Sequence, residues 1–135
     1  MKLTIIVEKG DGELWGRIDN VPGYLPVTSG KNLEEIEKNL LELLDDYINH
    51  EGKAFEEWKN LNISNIHFDH VYDLSAFFEL FDDVKVGAIA KRAGLNPSLV
   101  RHYVAGTKFP SEQQAKKLED AIHSLGEKLM EVVLA

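Results

Sequence analysis

The 135-residue chain is 44% hydrophobic and 28% charged, carries a formal net charge of −8 and contains no cysteine, a balance that fits a globular protein rather than a disordered one. Its length admits one ordinary domain or two small ones, and without cysteine it can form neither disulfides nor thiolate metal sites. No apolar run approaches the roughly 20 residues needed to cross a bilayer, and Met1-Lys2-Leu3-Thr4 lacks the features of a signal peptide, so a cytoplasmic protein with no membrane partner is expected.

The charge is unevenly spread. Residues 1–80 hold 16 acidic and 7 basic side chains, or −9, whereas residues 81–135 hold 7 and 8, or +1. Long-range fields steer association and oppose like charge, so the split suggests two partners of different character. The acidic part would repel phosphate and attract a basic protein.

Leu3, Ile5 and Val7 alternate with Thr4, Ile6 and Glu8, a period of two that predicts a strand. Gly10-Asp11-Gly12 supplies a tight hairpin, and Leu14, Gly16 and Ile18 mark the returning strand. After the turn Val21-Pro22-Gly23, residues 24–28 are expected to form a third strand, which Pro26 confines to an edge or bulge. Asn32 and Glu35 make a capping-box pattern at the start of a helix. Leu33, Ile36, Leu40, Leu43, Leu44 and Tyr47 give that helix one apolar face, and Gly52 should end it. Packing against the sheet is the expected use of this leucine-rich face, with an oligomer seam as the alternative. Phe55, Trp58 and Leu61 suggest a short helical turn. Residues 63–73 alternate again, with Ile66, Phe68, His70 and Tyr72 on one side, and read as a fourth strand.

After Asp73 the period becomes helical. Ser75 can cap a helix through Phe81, a second helix runs from about Val84 to Ala93, a third follows Asn96, and a longer one begins near Ser111. Residues 130–134 fit either a last helical turn or a short strand. The expected fold class is α+β: a β-β-β-α-β domain over residues 1–73, then an all-α domain over 74–135, with no Gly/Ser-rich or Pro-rich spacer.

The segment from Ile89 to Tyr103 carries the most specific signal. Two helices crossing steeply tolerate only a small side chain where they approach, and Ala90 occupies that place. Gly94 can end the leading helix in the left-handed conformation. Asn96 is a capable N-cap, and Pro97 suits the first helical position. Leu95, Leu99 or Val100, and Tyr103 then point inward. Ser98, Arg101 and His102 remain outside, near the N-terminal end of the second helix, where a recognition helix meets base edges. Arg101 can bond guanine in bidentate fashion, while Ser98 and His102 can donate to a base or phosphate. Asn96, Lys91, Arg92 and Lys108 are placed for backbone contacts. With Ala105-Gly106-Thr107-Lys108-Phe109-Pro110-Ser111 and the helix beyond, the stretch from Leu74 to Leu129 resembles the Cro/repressor (XRE-like) five-helix DNA-binding domain.

The first half resembles the HicB-type antitoxin fold, a truncated RNase H-like domain. The resemblance rests on the opening strand, Gly10-Asp11-Gly12, the stretch from Trp15 to Asp19, Val21-Pro22-Gly23 and the helix over residues 33–48. Tyr24-Leu25-Pro26-Val27 departs from the usual more polar stretch there, and the helix is richer in leucine and acid. The resemblance implies a non-enzymatic type II antitoxin that needs no cofactor. Its N-terminal domain would neutralise a small basic HicA-like mRNA-cleaving toxin. Its C-terminal domain would repress the operon at operator DNA as a homodimer or larger oligomer.

Other readings compete. A stand-alone repressor could use its N-terminal domain to oligomerise or to sense a small ligand through Trp15, Tyr24, Phe55 and Trp58, although aromatics at such spacings belong more often to a core. His67, Asp69 and Asp73 could be taken for a metal site, but one histidine without a closing ligand cluster fits a solvated strand face better. Asp11, Asp19, Asp45, Asp46 and Asp69 could in principle serve a two-metal nuclease, yet nothing in their spacing gathers them inward. His70, among Ile66, Phe68 and Tyr72, is expected to be a packed histidine.

Overall fold

The computed structural model describes residues 2–58 and 61–135. The protein is mixed α+β, with strands β1 (Lys2–Gly10), β2 (Glu13–Ile18), β3 (Val27–Gly30) and β4 (His67–Tyr72). Its helices are α1 (Leu33–Asn49), α2 (Leu74–Leu80), α3 (Val86–Ala93), α4 (Pro97–Ala105) and α5 (Glu112–Met130). The chain divides into two compact units, Met1–Ala76 and Phe77–Ala135, so the break falls inside α2. Among the described residues, no helix is long and apolar enough to cross a membrane.

In the first unit the sheet order is β3-β2-β1-β4. Gly10 pairs with Glu13 across the first hairpin, leaving Asp11 and Gly12 as a two-residue loop with φ of 52° and 76°. Positive φ at both positions is the signature of the primed turn whose twist matches the flanking strands. β2 pairs antiparallel with β3, whereas β4 runs parallel to β1. Leu3, Ile5, Val7, Leu14 and Ile18 alternate onto one buried face. α1 packs on β2 and β3 and buries Ile36, Leu40, Leu44 and Tyr47, with Leu33 and Leu43 half-buried at the margin of its apolar stripe. The Asn32 side chain caps its first turn, accepting from the Glu35 amide at 2.9 Å.

Several boundaries differ from the sequence pattern for local reasons. β3 begins at Val27 rather than residue 24. Pro26 has no N–H for the ladder and contributes only its carbonyl, which accepts from Ile18 N at 3.1 Å. Tyr24 leaves the strand to stack on Tyr47 with ring centroids 4.2 Å apart. α1 stops at Asn49, three residues before Gly52, where Glu51–Ala54 tighten into a 3-10 turn. β4 begins at His67 because Ile63–Asn65 form another such turn, held by the Asn62 side chain accepting from Ser64 N.

α2 is capped by Asp73 rather than Ser75. Its Oδ1 accepts from the Ala76 amide at 2.7 Å while Oδ2 accepts from Lys9 N at 3.4 Å. α3 starts at Val86, not Val84. Beyond Met130 the chain is neither helix nor strand apart from one turn.

In the second unit α3 packs against both α4 and α5. Its buried residues are Phe78, Ile89, Ala90, Val100, Tyr103, Leu118 and Ala121. The sheet–helix contact of the first unit leaves no room at Gly16, where an added Cβ would collide with the buried Ile36 side chain. Gly16→Ala should therefore lower stability by about 1–3 kcal/mol, the usual cost of overpacking. Urea unfolding followed by circular dichroism would show this as a lower midpoint at unchanged slope.

Candidate nucleic-acid interface

α3 and α4 are joined by three residues, Gly94, Leu95 and Asn96. Gly94 adopts φ 73° and ψ 26°. Its amide reaches the Lys91 carbonyl at 3.1 Å, and Leu95 N reaches the Ala90 carbonyl at 2.9 Å. This paired bond pattern satisfies the last free carbonyls of α3 and turns the chain sharply. The same device ends α4, where Gly106 has φ 79° and Thr107 N bonds the His102 carbonyl at 3.0 Å. Asn96 then starts α4, its side chain accepting from Ser98 N at 2.8 Å, with Pro97 at the first helical position.

Three further groups fix α4 in place. Ala90 and Val100 are both fully buried, so the small residue expected at the crossing does lie in the core. Tyr103 is also buried, and its hydroxyl donates to Gln114 Oε1 at 2.6 Å. Gln114 belongs to the capping box of α5, with Ser111 Oγ accepting from its amide and its Oε1 accepting from Ser111 N. One side chain thus locks the end of α4 to the start of α5. The sequence pattern placed Tyr103 inward but gave no sign of this bond.

Ser98, Arg101 and His102 are exposed, as are Asn96, Lys91, Arg92 and Lys108. They are not equally available. The Asn96 carbonyl oxygen is committed to its cap. His102 Nδ1 lies 2.9 Å from Thr107 Oγ1. The Thr107 Oγ1 also lies 3.2 Å from the His102 carbonyl. Arg101 leans instead toward the first turn of α3, beside Gly87. Arg101 thus neighbours α3, whereas His102 meets the turn that follows α4. Lys91 and Arg92 occupy the last turn of α3, where positive charge also suits the helix dipole.

Residues 84–118 contain seven basic side chains and one acidic. All seven are exposed, and among the described residues only Lys116 forms an ion pair, with Asp120 at 3.2 Å. Lys85 and Lys117 were missed by the motif, although counting charge over this window would have found them. Phe109, 85% exposed beside Lys108, was also passed over.

The competing sites look different in three dimensions. Tyr24 and Trp58 both pack on Tyr47, and the Trp58 indole donates to the Pro22 carbonyl at 3.0 Å. Trp15 instead bonds the Gly10 carbonyl, and Phe55 is exposed. The open groove of about 500 Å³ along α1 is lined by none of these four; it has Glu34, Glu37, Glu42 and Asp45 together with Lys38, Leu41 and Ile63. Asp69 pairs with Lys2 at 3.3 Å and Asp73 caps α2. Among the described residues no group of three or more histidines and carboxylates could hold a metal ion. His70 is half-buried, with Nε2 2.6 Å from Glu37 Oε1.

No family model matches the chain, and no curated protein or solved structure matches it either. Gly94→Val should cost about 1–2 kcal/mol, because a β-branched residue tolerates the left-handed conformation poorly. A lower melting temperature by circular dichroism is expected.

Proposed function

We propose that α4 reads duplex DNA in the major groove and that the chain is the antitoxin of a type II toxin–antitoxin system. The observation that carries the DNA reading is a capped helix pair within a stretch, residues 84–118, whose exposed cations number six without an ion pair among the described residues. Unpaired surface cations on a fixed frame are suited to phosphate, where they release counterions and make binding strongly salt-dependent. Arg101 is the base reader, with Ser98 and His102 beside it to donate to a base or phosphate. Lys91, Arg92 and Lys108 hold the backbone and set the register. A two-fold dimer would place two such helices on half-sites one helical turn apart.

The antitoxin part of the reading rests on the HicB-like order of turns and elements and on the −9 charge of residues 1–80. That charge favours a small basic toxin over nucleic acid as the partner of the first unit. The acidic groove along α1 offers it a concave surface. A ligand-sensing repressor is supported less well, because none of its four aromatics lines the groove along α1 and Tyr24 and Trp58 are taken up in packing on Tyr47.

Selection of duplexes from a randomised library, followed by anisotropy titration at fixed salt, tests the DNA reading. One enriched sequence is expected, and equal affinity for all duplexes would refute it. Arg101→Ala should lower affinity for the selected duplex by about 1–3 kcal/mol and relax one base pair. Lys91→Ala should instead weaken all duplexes alike and reduce the salt slope by about 1. For the antitoxin role, co-expression with a small basic protein encoded beside this chain should abolish that protein's RNA cleavage. Undiminished cleavage in a stable complex would argue against it.

A further inference from the structure

Gly87 stands second in α3, in ordinary helical backbone, where glycine weakens a helix relative to alanine. It does not serve the left-handed role of Gly94 or Gly106. The space that its missing side chain leaves is specific. A Cβ at this position would meet one neighbouring group within 4 Å, the Arg101 guanidinium, whose terminal nitrogen lies 3.2 Å away. Arg101 is exposed and forms no ion pair among the described residues, so no opposite charge fixes its direction. The clear surface of the α3 first turn is what lets its head lie there.

We infer that Gly87 is a positioning residue for Arg101, leaving α3 bare so that the guanidinium is presented from the α3 side of α4; this rests on the reading of Arg101 as a base contact. A methyl at position 87 displaces the guanidinium by a few tenths of an ångström, and a larger side chain takes its place altogether. Gly87 then contributes to base selectivity without touching a base.

The test uses the full chain with Gly87→Ala and Gly87→Leu, each with Arg101 intact and in the Arg101→Ala background. Melting temperature, affinity for the selected duplex and discrimination against its single-base variants are measured together. Both variants should melt at or above the wild-type temperature, since each adds a better helix former. Gly87→Leu should lose roughly tenfold in affinity and most discrimination at one base pair, and Gly87→Ala about twofold. Neither should have a further effect once Arg101 is alanine. A folded Gly87→Leu chain with unchanged affinity and selectivity overturns the inference, as does a loss that persists in the Arg101→Ala background. Should Gly87→Leu fail to fold, the Gly87→Ala pair decides by the same criteria. A wild-type chain without base selectivity overturns the DNA reading and the Gly87 role together, whereas a selective wild type indifferent to position 87 overturns the Gly87 role alone.

Discussion

Everything in the second unit depends on the left-handed cap at Gly94. A helix ends with unsatisfied carbonyls, and ordinarily water or a side chain must meet them. Here the following backbone meets them, with Leu95 N turned back onto the Ala90 carbonyl. Because Ala90 is also the fully buried small residue, the bond that closes α3 and the packing that receives α4 meet at one position. The Asn96 side chain and Pro97 then start the next helix immediately, leaving no flexible residue between the two. A second cap of the same kind at Gly106 and the Tyr103–Gln114 bond extend this rigidity to α5. A surface held this firmly loses little conformational freedom on binding, which suits recognition that must be selective and not merely sticky.

Much of this frame was legible because its signals are local. Alternation at Leu3, Ile5 and Val7, the Asp11-Gly12 turn, the Asn32 cap and the Ala90–Gly94–Asn96–Pro97 series each act within a few residues of their cause. What escaped depends on partners distant in sequence. Asp73 and Ser75 are both good caps, and the choice fell to Asp73, which also receives the Lys9 amide from a neighbouring strand. Tyr24 looked like strand until the Tyr47 ring offered it a stacking partner. The neighbours of Arg101 and His102, Gly87 and Thr107, were hidden for the same reason, since neither stands out in a helical pattern.

Charge is partitioned as clearly as structure. The acidic first unit gathers four carboxylates and one lysine along one groove of α1, while residues 84–118 leave their cations exposed. Fields of opposite character over the two parts favour different kinds of partner for each. Glu37 also meets His70 at 2.6 Å, so the groove is anchored to β4 through a side chain whose helical position alone would place it in solvent.

The parallel pairing of β4 with β1 has a kinetic corollary. Lys2 lies opposite His67, so the first sheet is complete only after more than sixty intervening residues have been made and gathered. The helices of the second unit instead touch neighbours close along the chain. Nonlocal pairing slows folding, because loop closure must precede any compensating contact. During synthesis the strand edge of β1 stays open until β4 emerges from the ribosome. The helical unit follows and condenses fast, so the slow element of this protein is the one made first.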